Sequence, residues 1–387
     1  MKEIYLDNNA TTKVDETVFE EMRPYFTELY GNPSSMHFFG GQVQKKVDEA
    51  RGCVAELLGA SPDEVIFTAC GTESDNAAIR SSLAVFPDRR HVVTSRVEHP
   101  AVLTQCRNLI QQGYRVTEIG VDSAGCLDMT ALKAAVDEDT AIVSLMWANN
   151  ETGVVFPVEE AAAIAKAKGA LFHTDAVQAV GKIGIDLAHS AIDMLSLSGH
   201  KLHAPKGIGA LYLRRGTPFR PFMVGGHQER SRRAGTENTA AIIALGKACE
   251  LAGQYMEKEN TTVKAMRDRL EQSLMVAIPN ARINGAGAER IPNTTSVAFE
   301  FVEGEAILLL LSELGICASS GSACTSGSLE PSHVLRAMGV PFTCAHGSIR
   351  FSLSRFTTDG EIDTVIRELP LIVNRLRQMS PFGRDQL

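Results

Sequence analysis

The sequence predicts an α/β protein in two parts: a large domain with a mainly parallel sheet between helices, and a smaller α+β domain. One observation is that short apolar runs alternate with helical stretches between about residues 60 and 215. Another is that these runs are largely apolar, which is typical of parallel strands covered on both faces. The third is length, because 387 residues exceed one domain of roughly 100–200 residues.

Five apolar runs are the predicted strands of the large domain. They are residues 64–68, 91–95, 141–147, 170–174 and 193–197. Helical stretches such as VEEAAAIAKAK, at residues 158–168, separate several of them. A long helical stretch from about residue 239 to 274, broken near Asn260, is expected to bridge the two domains. We place the large domain at residues 15–255.

The small domain is expected to combine residues 1–14 with residues 256–387, since the short apolar run at residues 4–6 has no other obvious partner. Its predicted elements are a strand at 294–302, a helix at 305–314, a short run at 316–318, a helix at 331–338, a strand at 348–353 and a helix at 359–379. Pro370 is expected to kink or interrupt the last helix, because proline has no backbone N–H to donate. Residues 319–330 are expected to form a loop that carries Cys324.

Composition excludes several classes of protein. A formal net charge of −8 argues against a protein that binds nucleic-acid phosphates. The longest apolar runs, residues 240–245 and 306–311, are far shorter than a membrane span. The N-terminus shows no export or transit pattern, and the eight cysteines are too scattered for a disulfide framework. We therefore expect a cytoplasmic protein with reduced thiols and neither a membrane nor a nucleic-acid partner.

Polar residues follow each predicted strand. They are Gly71 and Thr72, Glu98 and His99, Asn149 and Asn150, Asp175, and the segment from Ser198 to Lys201. Ligand-binding groups in parallel sheets lie beyond the carboxyl ends of the strands. The sequence therefore predicts that these residues share one site.

Lys201 and Asp175 are the most informative pair. Lys201 has few charged neighbours, and a lysine near an apolar sheet end can have the depressed pKa that a Schiff-base lysine needs. A structural lysine bound to a carbonyl is the alternative for this residue alone. Asp175 alone is best explained as a helix N-cap. Together, an Asp at a pyridinium nitrogen and a Lys that forms an imine are what a pyridoxal phosphate (PLP) enzyme requires.

Gly71 and Thr72 follow a strand and open a helix, and helix N-termini bind phosphate through free N–H groups. The pattern is neither a P-loop nor a dinucleotide fingerprint, and for this motif alone an ordinary helix start is the better explanation. His99 lies beyond a strand end, where an imidazole can stack on a flat ring or carry protons. A structural histidine is the alternative there.

Cys324 lies among small residues in SSGSACTSGS, which predicts solvent access and a nucleophilic or redox role. A zinc site is the alternative, formed with Cys317, His333, Cys344 and His346. No C-x-x-C pair exists and the spacings do not fit a structural site, so no metal is expected.

Two arginines are candidate anion-binding residues. Arg350 lies in the apolar strand SIRFSL, and such an arginine normally pairs with a carboxylate, which is that of a substrate or of another residue. Arg233 ends a basic run beside Gly235 and Thr236. The run is either a solvated surface or a phosphate contact.

Ten motifs spread over the chain form a specific pattern. They are YLDNNATT (5–12), GNPSSMH (31–37), GTESDN (71–76), EHPA (98–101), NNETG (149–153), HTDAVQ (173–178), SGHK (198–201), GGHQERSRRAGTEN (225–238), SSGSACTSG (319–327) and GSIRFSLSRFTT (347–358). With these motifs the chain resembles, from end to end, the NifS-like group of cysteine desulfurases, which belong to PLP fold type I, the class V aminotransferases.

The resemblance implies a full set of cofactor contacts. Lys201 would form the imine with PLP, Asp175 would pair with the ring nitrogen, and His99 would stack on the ring. The remaining contacts would be Gln178 and Asn150 to the ring hydroxyl; Gly71, Thr72, Ser198 and His200 to the phosphate; and Thr236 to the phosphate from the other subunit of a homodimer.

The resemblance also implies the reaction. Arg350 would bind the substrate carboxylate, with Asn32 beside it, and His99 would carry protons. Cys324 would attack the sulfur of L-cysteine, release L-alanine and hold a persulfide. An iron–sulfur scaffold protein or another acceptor would then take the sulfur, and the C-terminal segment resembles the nitrogen-fixation type. Alternatives are a selenocysteine lyase, another PLP enzyme of this fold, and a non-catalytic sulfur- or metal-binding protein.

Overall fold

The computed structural model describes residues 3–320 and 331–379. Its strands are β1 (Ile4–Tyr5), β2 (Val65–Thr68), β3 (His91–Ser95), β4 (Arg115–Ile119), β5 (Thr140–Met146), β6 (Leu171–Asp175), β7 (Met194–Ser198), β8 (Gly209–Leu213), β9 (Ala281–Ile283), β10 (Thr294–Phe299), β11 (Ile316–Cys317) and β12 (Ser348–Ser352).

The α-helices are α1 (Glu16–Met22), α2 (Pro24–Thr27), α3 (Phe38–Leu57), α4 (Gly71–Val85), α5 (Pro100–Gln111), α6 (Met129–Ala135), α7 (Val158–Ala167), α8 (Gln228–Ser231), α9 (Thr239–Lys258), α10 (Lys264–Ala277), α11 (Gly304–Glu313), α12 (His333–Ala337), α13 (Phe342–Ala345) and α14 (Asp359–Met379). In the described part of the chain, no helix is long and apolar enough to cross a membrane.

The main sheet has the order β2-β8-β7-β6-β5-β3-β4. Its strands are parallel except for β8, which is antiparallel to both of its neighbours. The five strands predicted for this domain correspond to β2, β3, β5, β6 and β7, each within about a residue of its expected bounds. The sheet is therefore mainly parallel, as predicted, and the carboxyl ends of these five strands lie along one edge.

A smaller antiparallel sheet has the order β12-β10-β9, and β1 pairs in parallel with β11. These strands pack around a separate apolar core, which contains Leu6, Leu270, Phe299, Phe351 and Leu369. The helix α12 instead contributes Val334 and Leu335 to the core of the large sheet. The domain boundaries given above stay a prediction.

The long helical stretch changes its winding where the sequence predicted a break, but the chain stays helical there. Helix α9 ends at Lys258, a single π-helical turn covers Glu259–Val263, and α10 follows. Asn260, inside that turn, donates to the carbonyl oxygens of Met256 and Lys182, both at 2.9 Å.

Pro370 was expected to kink or interrupt the last helix. An interruption is wrong, because α14 continues through the proline, whereas a kink stays a prediction. Leu369, Ile372 and Val373 are buried on this helix beside the proline. Their packing against the smaller core stabilises the helix despite the backbone hydrogen bond that proline cannot make.

Helices α3 and α9 pack closely under the large sheet. A Cβ atom added at Gly246 would lie 2.6 Å from the Cβ of Ala50 and 2.5 Å from its Cα. The contact therefore requires glycine in α9, since real Cβ atoms do not approach so closely.

Candidate active site

A cavity of about 300 Å³ opens at the carboxyl ends of β2, β3, β5, β6 and β7. The predicted site residues that line it are Gly71, Thr72, His99, Asn150, Asp175, Gln178, Ser198, His200, Lys201 and Arg350. The other lining residues are Asn9, Ala10, Cys70, Asp75, Pro100, Met146, Ala148, Glu151, Val177 and His333. The structure thus brings most of the predicted site together.

Lys201 ends the 3₁₀ turn that follows β7. Its Nζ donates to the carbonyl oxygens of Asn9 and of Ala10, the latter at 2.8 Å. Burial lowers the pKa of Lys201 to about 7, and the positive charges of Arg350 and Lys182 add to this effect. A large fraction of the protein molecules therefore carries a neutral, nucleophilic amine at Lys201 near neutral pH.

Asp175 is the last residue of β6. Its Oδ1 accepts a hydrogen bond from the backbone N–H of Val177 at 3.0 Å. Burial raises the pKa of Asp175, while nearby His99, the Val177 N–H and Lys201 oppose that rise. Within the described residues this carboxyl group makes no ion pair. A buried carboxylate without a close cation suits a ligand that carries a protonated ring nitrogen.

His99 is the N-cap of α5, and its Nδ1 accepts a hydrogen bond from the backbone N–H of Ala101 at 3.2 Å. Nδ1 is therefore unprotonated, and Nε2 carries the hydrogen of the neutral ring. Burial is the main cause of the lowered pKa of His99, with smaller contributions from Lys201 and His333. A neutral imidazole with an N–H donor thus lines the cavity.

The N-terminus of α4 forms the end of the cavity that suits a phosphate. The helix starts at Gly71, and no side chain caps it, so its first N–H groups are available to an anion. Ser198 lies beside it, since its Cβ is 3.5 Å from the position of a Cβ added at Gly71, and Thr72 and His200 also line the cavity. Burial lowers the pKa of His200 to about 4, so this ring is neutral and can donate or accept a hydrogen bond.

Gln178 provides a further test of whether the cavity residues fit PLP. Its Nε2 donates to the carbonyl oxygen of Asn9 at 3.0 Å, whereas its buried Oε1 has no hydrogen-bond partner among the described residues. An acceptor left without a donor is costly unless a ligand supplies one. The ring hydroxyl of PLP would do so, and the residues of the cavity therefore fit PLP.

Arg350 lies on β12 and is buried at the cavity wall. Its Nη2 binds Asp7 Oδ1 at 2.6 Å, and its Nη1 donates to the carbonyl oxygen of Asn150 at 2.9 Å. Its Nε has no partner within the described part of the chain. Arg350 is therefore held by a carboxylate of the protein and still has N–H donors for a second carboxylate.

Two predicted residues, Thr236 and Asn32, do not line the cavity. Thr236 and Asn32 are exposed, and Asn32 Oδ1 accepts from the N–H of Ser34 at 2.9 Å. Cys324 lies outside the described residues. The roles expected for these three stay predictions. Arg233 pairs with Glu73 at 2.8 Å, in the first turn of α4.

The burial of two acids near the site, Glu98 and Asp75, was not predicted from the sequence. Burial raises the pKa of Glu98 to about 8, although its Oε1 accepts from Ser95 Oγ at 2.6 Å. Burial also raises the pKa of Asp75, well above its usual range, and nearby Asp175 adds to this effect. Their positions inside GTESDN and EHPA were the available signal, but hydrophobic periodicity does not distinguish such buried acids from solvated ones.

Comparison with known proteins agrees with this geometry. The family model described as "Aminotransferase class-V" matches residues 4–365. The chain is 63% identical over 386 residues to "Cysteine desulfurase 2" of Trichormus variabilis, a match that covers 100% of this chain and 97% of that protein. It is 60% identical over 383 residues to "Cysteine desulfurase NifS" of Azotobacter vinelandii, with 99% and 95% covered. A solved structure named "NIFS-LIKE PROTEIN" superimposes with a TM-score of 0.91 at 39% identity and covers 97% of this chain and 100% of its own.

Proposed function

Because the chain belongs to the class-V aminotransferase family and, within it, to the NifS-like cysteine desulfurases, we propose that it removes sulfur from L-cysteine and releases L-alanine. Its cofactor is PLP. One observation carries the proposal. Asp175 ends β6, Lys201 follows β7 and Arg350 lies on β12, and all three line a single cavity.

The cavity residues have distinct tasks. Bound PLP supplies an electron-poor ring that stabilises negative charge at the α-carbon of the substrate. Asp175 holds the proton on the ring nitrogen, and Arg350 binds the substrate carboxylate through its remaining N–H groups. Lys201, with a pKa of about 7, is the base for the proton on the α-carbon. His99 presents an N–H donor from Nε2 and carries protons within the cavity.

We assign the sulfur transfer to Cys324. Its thiolate attacks the sulfur of the substrate and forms an S–S bond, and the bond between that sulfur and the β-carbon breaks. The electron pair of the broken bond stays on the β-carbon, which takes a proton and becomes the methyl group of alanine. Cys324 keeps the sulfur as a persulfide until an acceptor, such as an iron–sulfur scaffold protein, removes it.

We also propose that the chain works as a homodimer in the cytoplasm. Thr236 is exposed and does not reach the cavity of its own chain, which supports a role in the site of a second copy. A reducing compartment would keep the thiol of Cys324 available for the reaction. The close relation to NifS supports a role in supplying sulfur for nitrogen fixation.

The proposal is tested by measuring alanine and sulfide formed from L-cysteine by the PLP-loaded protein with a thiol reductant. The wild-type protein should form both products, and C324A should form neither while it keeps the cofactor's absorption spectrum. C126A removes an exposed thiol for which no role in the reaction is expected, and it should behave as wild type. Undiminished activity of C324A contradicts the mechanism, and activity with L-selenocysteine but not L-cysteine would favour a selenocysteine lyase.

A further inference from the structure

His333 lines the cavity although the mechanism above gives it no task. Its Nε2 lies 2.9 Å from the carbonyl oxygen of Glu98. A carbonyl oxygen only accepts, so Nε2 carries the hydrogen of the neutral ring, and Nδ1 is left with a free electron pair. Among the described residues, Nδ1 has no hydrogen-bond partner. The ring is thus prepared to accept a proton at Nδ1 from a molecule in the cavity.

A buried carboxyl group holds His333 in place through the residue before it. Ser332 Oγ donates to Glu151 Oε2 at 2.5 Å and accepts from the N–H of Val334 at 3.0 Å. Both Ser332 and Glu151 are only 4% exposed. The loop of Glu151 is itself fixed, because Asn149 Oδ1 accepts from the N–H of Glu151 at 2.9 Å. The start of α12 therefore has a defined position on the cavity wall.

The contacts around Glu151 show which end of the cavity His333 occupies. Glu151 follows Asn150, whose carbonyl oxygen accepts from Arg350 Nη1 at 2.9 Å, and Glu151 Oε2 accepts from Ser332, the residue before His333. His333 and Arg350 therefore lie near the same carboxyl group, and both oppose the rise that burial causes in its pKa. His333 in turn lowers the pKa of His99. His333 therefore lies at the Arg350 end, where the carboxylate of an amino acid would bind.

We propose that His333 is the group that accepts a proton from the α-ammonium of the incoming amino acid, and that Glu151 is its positioning residue. The ammonium nitrogen is attached to the carbon next to the carboxylate that Arg350 would hold, so it reaches the same end of the cavity. One N–H bond of the ammonium breaks and an Nδ1–H bond forms. The electron pair stays on the amine nitrogen, which becomes the nucleophile that the reaction needs.

Other bases of the lining are less suited to this step. In the loaded enzyme Lys201 is committed to the cofactor, and the expected place of His99 is against the ring. Asp175 is expected to serve the ring nitrogen, Asp75 lies near it, and Glu151 already accepts from Ser332. The proposal rests on the proposed function for the identity of the substrate.

The test uses the PLP-loaded protein and L-alanine, which has the same carboxylate and ammonium but no thiol. The rate at which the cofactor absorbance changes after rapid mixing is measured from about pH 6 to pH 9.5. H333Q should slow this rate about 100-fold near pH 7, the size expected for a lost general base, and should approach wild type at high pH, where water deprotonates more of the amine. H189Q removes an exposed histidine that pairs with Asp186 and should match wild type throughout.

Two further variants separate positioning from general damage. E151Q keeps an oxygen that can accept from Ser332 and should match wild type, whereas E151A should reproduce part of the pH-dependent loss of H333Q. In the cofactor-free protein, NMR of ¹⁵N-labelled histidine should show the Nε2-protonated tautomer for the signal that disappears in H333Q.

A loss in H333Q that is equal at every pH, or no loss at all, overturns the proposal, as does an Nδ1-protonated neutral ring. These results are distinguishable from failure of the proposed function. A protein that forms no alanine from L-cysteine would refute desulfuration, whereas the mixing experiment depends only on an amino acid entering the cavity.

Discussion

Lys201 should titrate near neutral pH in the cofactor-free protein, rather than near its ordinary pKa of 10.5. Burial is the main cause, and the charges of Arg350 and Lys182 add to it, while Asp7 and Asp175 oppose it. The lowered pKa means that the neutral amine dominates above about pH 7 and is lost as the pH falls below that value. Two substitutions test this account because they should move the pKa in opposite directions.

The expected effect is large. With a pKa of about 7, half of the protein carries a neutral Lys201 at pH 7. A lysine with the ordinary pKa would be neutral in only about 0.03% of molecules, so the difference in reactive amine is roughly a thousandfold. K182M removes a positive charge and should raise the pKa of Lys201. D7N removes a negative charge and should lower it further.

Competitive acetylation with acetic anhydride, quantified for each lysine by mass spectrometry, gives the pH at which each amine becomes reactive. Lys206 is exposed and serves as the internal control in the same sample. A midpoint for Lys201 near that of Lys206 would refute the account. Shifts of the same sign in K182M and D7N would show that fold changes, rather than the named charges, set the titration.

Two other changes test the packing that supports the site. Glu229 binds Arg51 at 2.6 and 2.8 Å with both side chains buried, so E229A should cost about 3–5 kcal/mol in the free energy of unfolding by urea. R51M/E229M leaves no unpaired charge and should cost less than E229A; a larger cost would contradict this reasoning. G246A should lose about 1–3 kcal/mol, because the new methyl group would meet Ala50 at 2.5–2.6 Å. G253A, whose added Cβ would approach Leu57 Cδ1 only to 3.9 Å, is its control, and equal losses would exclude the steric explanation.

Much of the site could be predicted because the positions of its residues follow from local sequence patterns. Apolar runs locate β6 and β7, and the residues that follow them, Asp175 and Lys201, are placed by the rule that parallel strands present ligands at their carboxyl ends. The same rule located His99 and Gly71. No contact had to be known for these residues, only the identity and direction of the strands.

Contacts between distant parts of the chain could not be predicted in the same way. Asp7 meets Arg350 although 343 residues separate them, and Lys201 donates to the carbonyl oxygens of Asn9 and Ala10 from 191 or more residues away. Periodicity reports which face of an element is apolar and contains no information about which polar partner will meet it. Strand β8 was not among the predicted strands, and its antiparallel direction is decided by pairing, which periodicity does not report.

The buried acids around the cavity differ in how their surroundings act on their charged forms. Glu98, with a pKa of about 8, is mostly protonated at neutral pH, and burial and the nearby Asp175 both disfavour the charged form of Asp75. Burial raises the pKa of Asp175 too, but the Val177 N–H, His99 and Lys201 all favour its charged form. Of these three acids, Asp175 at the end of β6 is therefore the one best suited to pair as a carboxylate with the ring nitrogen that PLP would bring.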